Sequence, residues 1–320
     1  MKERILIIKL GALGDLVLCF QAFAAIRAYH PDAEIALLTG PAFAAFGLQM
    51  PWIDVVIRDP RPRWYQLTRW IKLIRDLRRF APTRVYDFQG KPRQKILYYA
   101  LGKPDWSGAV KGCRFPRFWP PVKGMHYTEF LAAQMAAVFA HEPDESRKNA
   151  VSSVAEAKTD VSWLDGPLDA FSLPEKYAVL IPSCSPQHPH KKWPAALFAA
   201  LAKRLAQKGI SSVAIGTKGD KESIDDIRTF APEVIDLSGQ TSLGQVAAIA
   251  RQAVCVVGND TGPTHLAAAV GAKTVALLSD HVDPLWSSPK GPRASWIGGR
   301  PMTTITVDEV EAAALRDGKG

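Results

Sequence analysis

Val254-Cys255-Val256-Val257-Gly258-Asn259-Asp260-Thr261-Gly262-Pro263-Thr264-His265-Leu266-Ala267-Ala268-Ala269 reads as a strand, a polar turn and a helix in direct succession. A short β-branched run ends at Gly258, and small residues take over after Pro263. The acid, hydroxyl and glycine between them sit where a helix begins. Free backbone N–H groups and the positive dipole end suit that position to a phosphate. Gly262 lets a ligand come close to the main chain. Asp260 is out of place beside a phosphate and fits better as an acceptor for sugar hydroxyls. The turn therefore reads as a site for a nucleotide carrying a sugar. A plainer reading is an ordinary helix start, since Asn, Asp and Thr all cap helices well and Pro suits the first turn.

Outward from this corner the same alternation continues. In the C-terminal half, strands are expected over 177–181, 210–215, 234–237, 254–257 and 274–278. Helices are expected over 194–208, 220–230 and 243–252, and after Pro263. In the N-terminal half, strands are expected over 4–10, 34–39, 54–58 and 84–87, and helices over 14–28, 64–80 and 128–139. Residues 141–176 lose periodicity and read as a linker. Short apolar runs separated by helices indicate parallel sheets. The expectation is an α/β chain of two Rossmann-like domains, 1–165 and 166–320, facing a central cleft.

Composition agrees with that size. The chain has 320 residues, 47% hydrophobic and 22% charged, a balance typical of globular domains. No apolar run reaches the roughly 18 residues of a membrane span. Met1-Lys2-Glu3-Arg4 leads straight into a strand, without the apolar segment and cleavage site of a signal peptide. Cys19, Cys113, Cys184 and Cys255 are far apart and form no C-x-x-C pair, which points to a reducing compartment and against a zinc site. The net charge of +9 is uneven. Residues 58–123 hold seventeen Lys/Arg against four Asp/Glu, a net +13 that leaves −4 for the rest. Trp64, Tyr65, Trp70, Tyr98, Tyr99, Trp106, Phe115, Phe118 and Trp119 are interleaved. A basic, aromatic lobe implies an anionic partner. The competing reading is a solvated basic face.

Three further loops follow strands. Lys9-Leu10-Gly11-Ala12-Leu13-Gly14-Asp15 opens the first helix. It is not G-x-G-x-x-G, and its acid would repel a pyrophosphate, so a dinucleotide site is disfavoured. Asp15 suits a general base at the carboxyl edge of a sheet; otherwise it only charges a helix start. In the loop 181–194, Ser183 and Ser185 can donate to phosphate oxygens, and Lys191 or Lys192 can place a charge on a leaving diphosphate. His188 and His190 invite a metal reading, but no third ligand has a plausible spacing. The loop after 210–215 offers Asp220 and Glu222 for ribose hydroxyls, and Gly239-Gln240-Thr241-Ser242-Leu243 caps a helix and can turn its backbone to a base. No two Asp residues lie two apart, so the chain has no D-x-D motif for a divalent cation.

Taken together, Lys9-x-Gly11-x-x-Gly14-Asp15, Lys191-x-Trp193-Pro194, Thr241-Ser242-Leu243 and Asp260-Thr261-Gly262-Pro263-Thr264-His265 resemble glycosyltransferase family 9, the bacterial heptosyltransferases of lipopolysaccharide core assembly. The resemblance implies the GT-B arrangement, with an acceptor-binding N-terminal domain and a nucleotide-sugar-binding C-terminal domain. It implies an ADP-activated heptose donor and Asp15 as catalytic base. Lys191, Thr261 and Gly262 would meet the diphosphate, Asp260 the sugar, and Thr241 the adenine, with Ser183, Ser185, Ser242, Leu243 and His265 lining the same donor site. Asp220 or Glu222 would reach the ribose. Lys9, Gly14, Gln89 and Arg93 are the acceptor-side candidates.

The expected activity is inverting, metal-independent glycosyl transfer with no cofactor beyond the ADP-sugar. The expected acceptor is an anionic glycolipid, reached in the cytoplasm by peripheral contact with the inner face of a membrane. Nucleic acid is not expected as a partner, because no RNA- or DNA-binding module is recognisable. The rival readings are a relative using another nucleotide-sugar or acceptor, an NAD-dependent oxidoreductase, a non-catalytic nucleic-acid binder, and a member that binds sugar nucleotides without turnover.

Overall fold

The computed structural model describes residues 2–117, 124–141, 159–185 and 187–316. The chain forms two compact units, Met1–Trp163 and Leu164–Gly320.

Unit 1 is built on a six-stranded parallel sheet. Its strands are β1 (Arg4–Ile8), β2 (Glu34–Thr39), β3 (Val55–Arg58), β4 (Arg84–Asp87), β5 (Asp105–Gly108) and β6 (Phe115–Pro116), in the spatial order β3-β2-β1-β4-β5-β6. β1 is an unbroken apolar run after Arg4, as expected of a parallel strand covered on both faces. The helices are α1 (Leu13–Val17), α2 (Phe20–Tyr29), α3 (Ala44–Gly47), α4 (Leu67–Phe80), α5 (Gln94–Ala100) and α6 (Tyr127–Ala140). Leu6, Ile8, Trp70, Leu73, Leu77, Leu97 and Trp106 join one face of the sheet to α4 and α5.

Unit 2 repeats the plan. Its strands are β7 (Tyr177–Ile181), β8 (Ser211–Ala214), β9 (Ile235–Asp236), β10 (Cys255–Asn259), β11 (Thr274–Leu278) and β12 (Ala294–Gly298), ordered β12-β11-β10-β7-β8-β9 and all parallel. Its helices are α7 (Ala195–Ala206), α8 (Lys221–Phe230), α9 (Leu243–Gln252), α10 (Gly262–Ala269), α11 (Pro284–Ser287) and α12 (Val307–Leu315). Counted within each unit, both sheets have the Rossmann order 3-2-1-4-5-6. The strand order reverses between β1 and β4 in one and between β7 and β10 in the other, and ligands of such sheets bind outside the carboxyl ends at that point.

Several elements depart from the sequence reading. The helix expected over 14–28 is two helices, because the Cys19 N–H turns back to the Leu16 carbonyl three residues earlier and tightens the chain there. β5, β6, α5, β12 and α12 were not foreseen. β5 is Asp-Trp-Ser-Gly, a composition depleted in strands, yet it is flanked by β4 and β6. α12 carries a signal that would have found it, a capping box in which Thr306 and Glu309 each bond the other's backbone N–H. Trp163, inside the expected linker, packs at 5.7 Å from both Phe20 and Trp52 and at 5.9 Å from Phe46, which binds the end of unit 1 to its own core. The described residues contain no helix long and apolar enough to cross a membrane.

Candidate active site

The switch point of unit 2 brings together loops that are distant in sequence. The loop after β7 ends in a 3-10 turn, Pro189–Lys191, and the loop after β10 is Asp260–Thr261. Because β7 and β10 are neighbours, Lys191 Nζ lies 2.7 Å from Asp260 Oδ2 across 69 residues of sequence. His265, one turn into α10, meets the other carboxylate oxygen through Nε2 at 3.2 Å. Burial pushes the Asp260 carboxyl towards a higher pKa, but the bonds from His265 and Lys191 outweigh it and hold the group below the usual carboxylate range. In the sequence reading Lys191 belonged to a diphosphate and Asp260 to a sugar; in the structure each holds the other.

Asn259 makes this junction. Fully buried, its side-chain amide donates to the Pro182 carbonyl at 2.7 Å and its carbonyl accepts from the Trp193 N–H at 3.1 Å. Both ends of the loop that carries Lys191 are thus tied to the end of β10. Trp193 is anchored in turn by an indole N–H bond to the Ile305 carbonyl at 3.0 Å. Asn259→Ala would leave the Trp193 N–H and the Pro182 carbonyl unmatched, at roughly 1–3 kcal/mol each. A melting temperature several degrees lower, with loss of nucleotide-induced stabilisation, is the expected result; an unchanged melting curve would contradict the staple.

Ser183 Oγ, Ser279 Oγ and His265 Nδ1 are buried without a hydrogen-bond partner among the described residues. All three sit on or just beyond the carboxyl ends of strands or on α10, where a polar ligand would satisfy them. Ser279 follows β11 and was missed by the sequence reading. Gly216, after β8, lies so close that a Cβ there would stand 3.0 Å from Ser183 Oγ and 2.8 Å from Asp220 Cβ, which puts Ser183 beside the β8 loop. Asp220 accepts from the Thr217 N–H at 2.8 Å and its hydroxyl at 2.7 Å, so its carboxylate closes its own turn. Glu222 is exposed on the first turn of α8. Ser185 is exposed, and its carbonyl accepts from the His188 N–H at 2.8 Å. Thr261 caps α10 and Gly262 begins it. Thr241, Ser242 and Leu243 sit at the start of α9, after β9 at the sheet edge, where Ser242 exchanges bonds with Gln245. His190 packs 4.4 Å from His281 and 5.6 Å from His188, ring centre to ring centre. Among the described residues no group of three His, Cys, Asp or Glu side chains is arranged to hold a metal ion.

In unit 1 the switch point carries the Asp15 loop. Asp15 is the third residue of α1; its Oδ2 accepts from the Ala12 N–H at 3.2 Å and lies 3.8 Å from Lys9 Nζ. The Asp15 side chain is 50% exposed, so it can meet a substrate hydroxyl, whereas Lys9 is buried and donates to the Tyr127 hydroxyl at 3.0 Å. Gly11 holds φ +103°, and a Cβ there would fall 2.3 Å from the Phe43 ring. The Leu10 peptide just before it is gripped on both sides: Gln89 Oε1 accepts from its N–H at 2.9 Å, and Arg61 Nη2 donates to its carbonyl at 2.7 Å. Asp59, fully buried, bonds the Arg61 N–H and forms a bidentate pair with Arg93 at 2.8 and 3.2 Å. Asp87 binds the Gln89 and Gly90 N–H groups, both at 3.0 Å; burial pushes its carboxyl up to about 6 against the lowering effect of those bonds. Gln89 and Arg93, read as acceptor contacts, thus have polar ends engaged within unit 1. Arg61 had counted only towards the charge total. Gly14 is buried in α1.

Two parallel sheets of Rossmann order, each with polar side chains gathered at its switch point, make up the two-unit α/β plan of the GT-B fold. The chain belongs to glycosyltransferase family 9 (heptosyltransferase), whose family model matches residues 70–310. Lipooligosaccharide heptosyltransferase 2 of Haemophilus influenzae is 31% identical over 114 residues, 34% of this chain and 33% of that protein. The aligned stretch therefore spans about a third of that curated relative's length. Among solved structures, ADP-heptose lps heptosyltransferase II of Escherichia coli superposes with a TM-score of 0.75 at 21% identity over 99% of both chains. A glycosyl transferase family 9 protein of Veillonella parvula gives 0.76 at 19% identity, over 98% of this chain and 96% of that one. At these identities the structural likeness is one of fold.

Proposed function

We propose that the protein transfers a heptose from an ADP-activated donor to an anionic lipopolysaccharide-core acceptor, with inversion and without a metal ion. The observation that carries this reading is the Lys191–Asp260–His265 cluster at the unit 2 switch point, beside the unpartnered Ser183 and Ser279 hydroxyls. Donor binding would draw Lys191 Nζ from the carboxylate to the diphosphate, and the released Asp260 oxygens would accept sugar hydroxyls. The α10 N-terminus at Thr261–Gly262 would add N–H groups to the same phosphate. Asp15 takes the proton of an acceptor hydroxyl. That oxygen bonds to the anomeric carbon as the bond from this carbon to the diphosphate oxygen breaks, and ADP leaves with the electron pair. Lys191 and the helix end meet the charge that develops on it. The new glycosidic bond has the configuration opposite to the donor's.

The names of the relatives support heptose and a lipopolysaccharide acceptor, and the missing D-x-D supports diphosphate binding by cations of the chain itself. A ligand stabilises the state it binds, so ADP should raise the melting temperature more than UDP or GDP at equal concentration. Turnover of an ADP-heptose should persist in EDTA. Equal stabilisation by all three nucleotides would remove the adenine assignment, and activity lost in EDTA and restored by Mg²⁺ would overturn the metal-free mechanism.

A further inference from the structure

α4 and α5 present an outward face that unit 1 does not use. Trp70, Leu73, Leu77 and Phe80 form the buried side of α4. Leu67 and Ile71, one turn apart on another side, are 66% and 64% exposed. A helix that only had to pack on its sheet would carry polar residues there. On α5, Ile96 and Tyr99 are 50% and 52% exposed, and Trp64, three residues before α4, is 85% exposed. The helices adjoin, since Arg78 Nε donates to the Ala100 carbonyl at 2.9 Å. Between them Ile71, Ile74, Arg75, Arg78 and Arg79 line a shallow depression with Ala100. The charge around these side chains has one sign. α4 holds Arg69, Lys72, Arg75, Arg78 and Arg79 against Asp76 alone, and Lys103 Nζ lies 5.4 Å above the Tyr99 ring.

We propose that this face docks the protein on an anionic lipid bilayer, with Trp64, Leu67, Ile71 and Tyr99 at headgroup level and the arginines on lipid phosphates. Indole and phenol rings favour the membrane–water boundary, and long basic side chains reach from an apolar surface to charged headgroups. An amphipathic helix with cations beside an exposed apolar row is the form that lies in that boundary. The aliphatic residues decide between partners. A nucleic acid would use the cations and stack on the rings, but it would gain little from Leu67 and Ile71; a bilayer uses all of them. The docking face stands independently of the proposed transfer reaction, because it needs neither donor nor acceptor.

The test is co-sedimentation of the full chain with vesicles of phosphatidylcholine alone or mixed with phosphatidylglycerol, at 0.1 M and 1 M salt. Binding is expected to the anionic vesicles only, and to fall at least about tenfold as the screening length shrinks from ~10 to ~3 Å. Each cation near an anionic surface contributes about fivefold, so losing two costs about 25-fold, and Arg75→Glu with Arg79→Glu, which adds two repelling charges, should weaken binding by more than that. Leu67→Ser with Ile71→Ser leaves the charge untouched and should weaken it about tenfold. All four side chains are exposed, so melting temperature and ADP-induced stabilisation should stay as in the parent protein and report intact folding. Single-stranded RNA and inorganic phosphate serve as competitors and should displace the vesicles weakly. Absence of binding to anionic vesicles, or serine variants that bind like the parent, would overturn the proposal. RNA bound more tightly than vesicles would overturn it in favour of a polyanion site.

Discussion

Asp15→Asn is expected to lower turnover by about 10²–10⁴-fold, the range for loss of a general base, while donor-induced stabilisation stays nearly unchanged. The substitution keeps the shape and the acceptor oxygen that meets the Ala12 N–H at 3.2 Å, so α1 should keep its start. It removes the ability to take a proton, together with the charge that faces Lys9 Nζ at 3.8 Å. The half-exposed side chain is the one carboxylate in the motif 9–15, so no neighbour in that loop can replace it. Initial-rate kinetics with saturating donor, beside an ADP melting-shift assay, separates the two effects. A variant that keeps most of its activity would reduce Asp15 to a group that charges a helix start.

Lys191→Ala is expected to cost on the order of 10²–10³ in turnover, as for loss of one donor to a developing anion, and to shrink the ADP melting shift. A second effect should appear without any nucleotide. The Asp260 side chain is 8% exposed, and removing Lys191 leaves it with His265 as its remaining side-chain partner among the described residues. A buried charge that loses its counter-ion destabilises the fold. Asp260→Asn added to Lys191→Ala should therefore recover melting temperature but no activity, and the double-mutant cycle should show coupling between the two sites. A Lys191→Ala protein with the parent's ADP shift would remove the lysine from the diphosphate.

The corner at 254–269 was legible because its signals are local: a β-branched run, a polar turn and small helix-forming residues. The loop 181–194 was legible for the same reason. Asn259 was not. In sequence it is one more capping residue, and its bonds to Pro182 and Trp193 exist only because β10 lies beside β7. Arg61 is similar, since nothing near it in sequence announces that its guanidinium reaches the Leu10 carbonyl. Its backbone is also in the left-handed region, at φ +49°, which composition does not reveal in an arginine. Ser279 is a single serine after an apolar strand and carried no pattern. The candidates Gln89 and Arg93 came from the family resemblance, yet the Gln89 Oε1 is taken by the Leu10 N–H and the Arg93 guanidinium by Asp59. Polarity in a conspicuous loop marks a site's surroundings, and only the non-local pairing tells scaffold from contact surface.

The strand order of the two sheets has a further consequence for how such a chain can be rebuilt. Every strand of the first sheet lies before Trp163 and every strand of the second after Leu164, so neither sheet borrows a strand across the division. The Leu10 grip and the Asn259 staple are likewise each closed within one unit. A crossover between relatives at 163/164 therefore severs no ladder and neither of these supports. Recombination at that joint would exchange the units as whole parts, and under the proposed function that is a direct route to enzymes that keep one substrate and change the other.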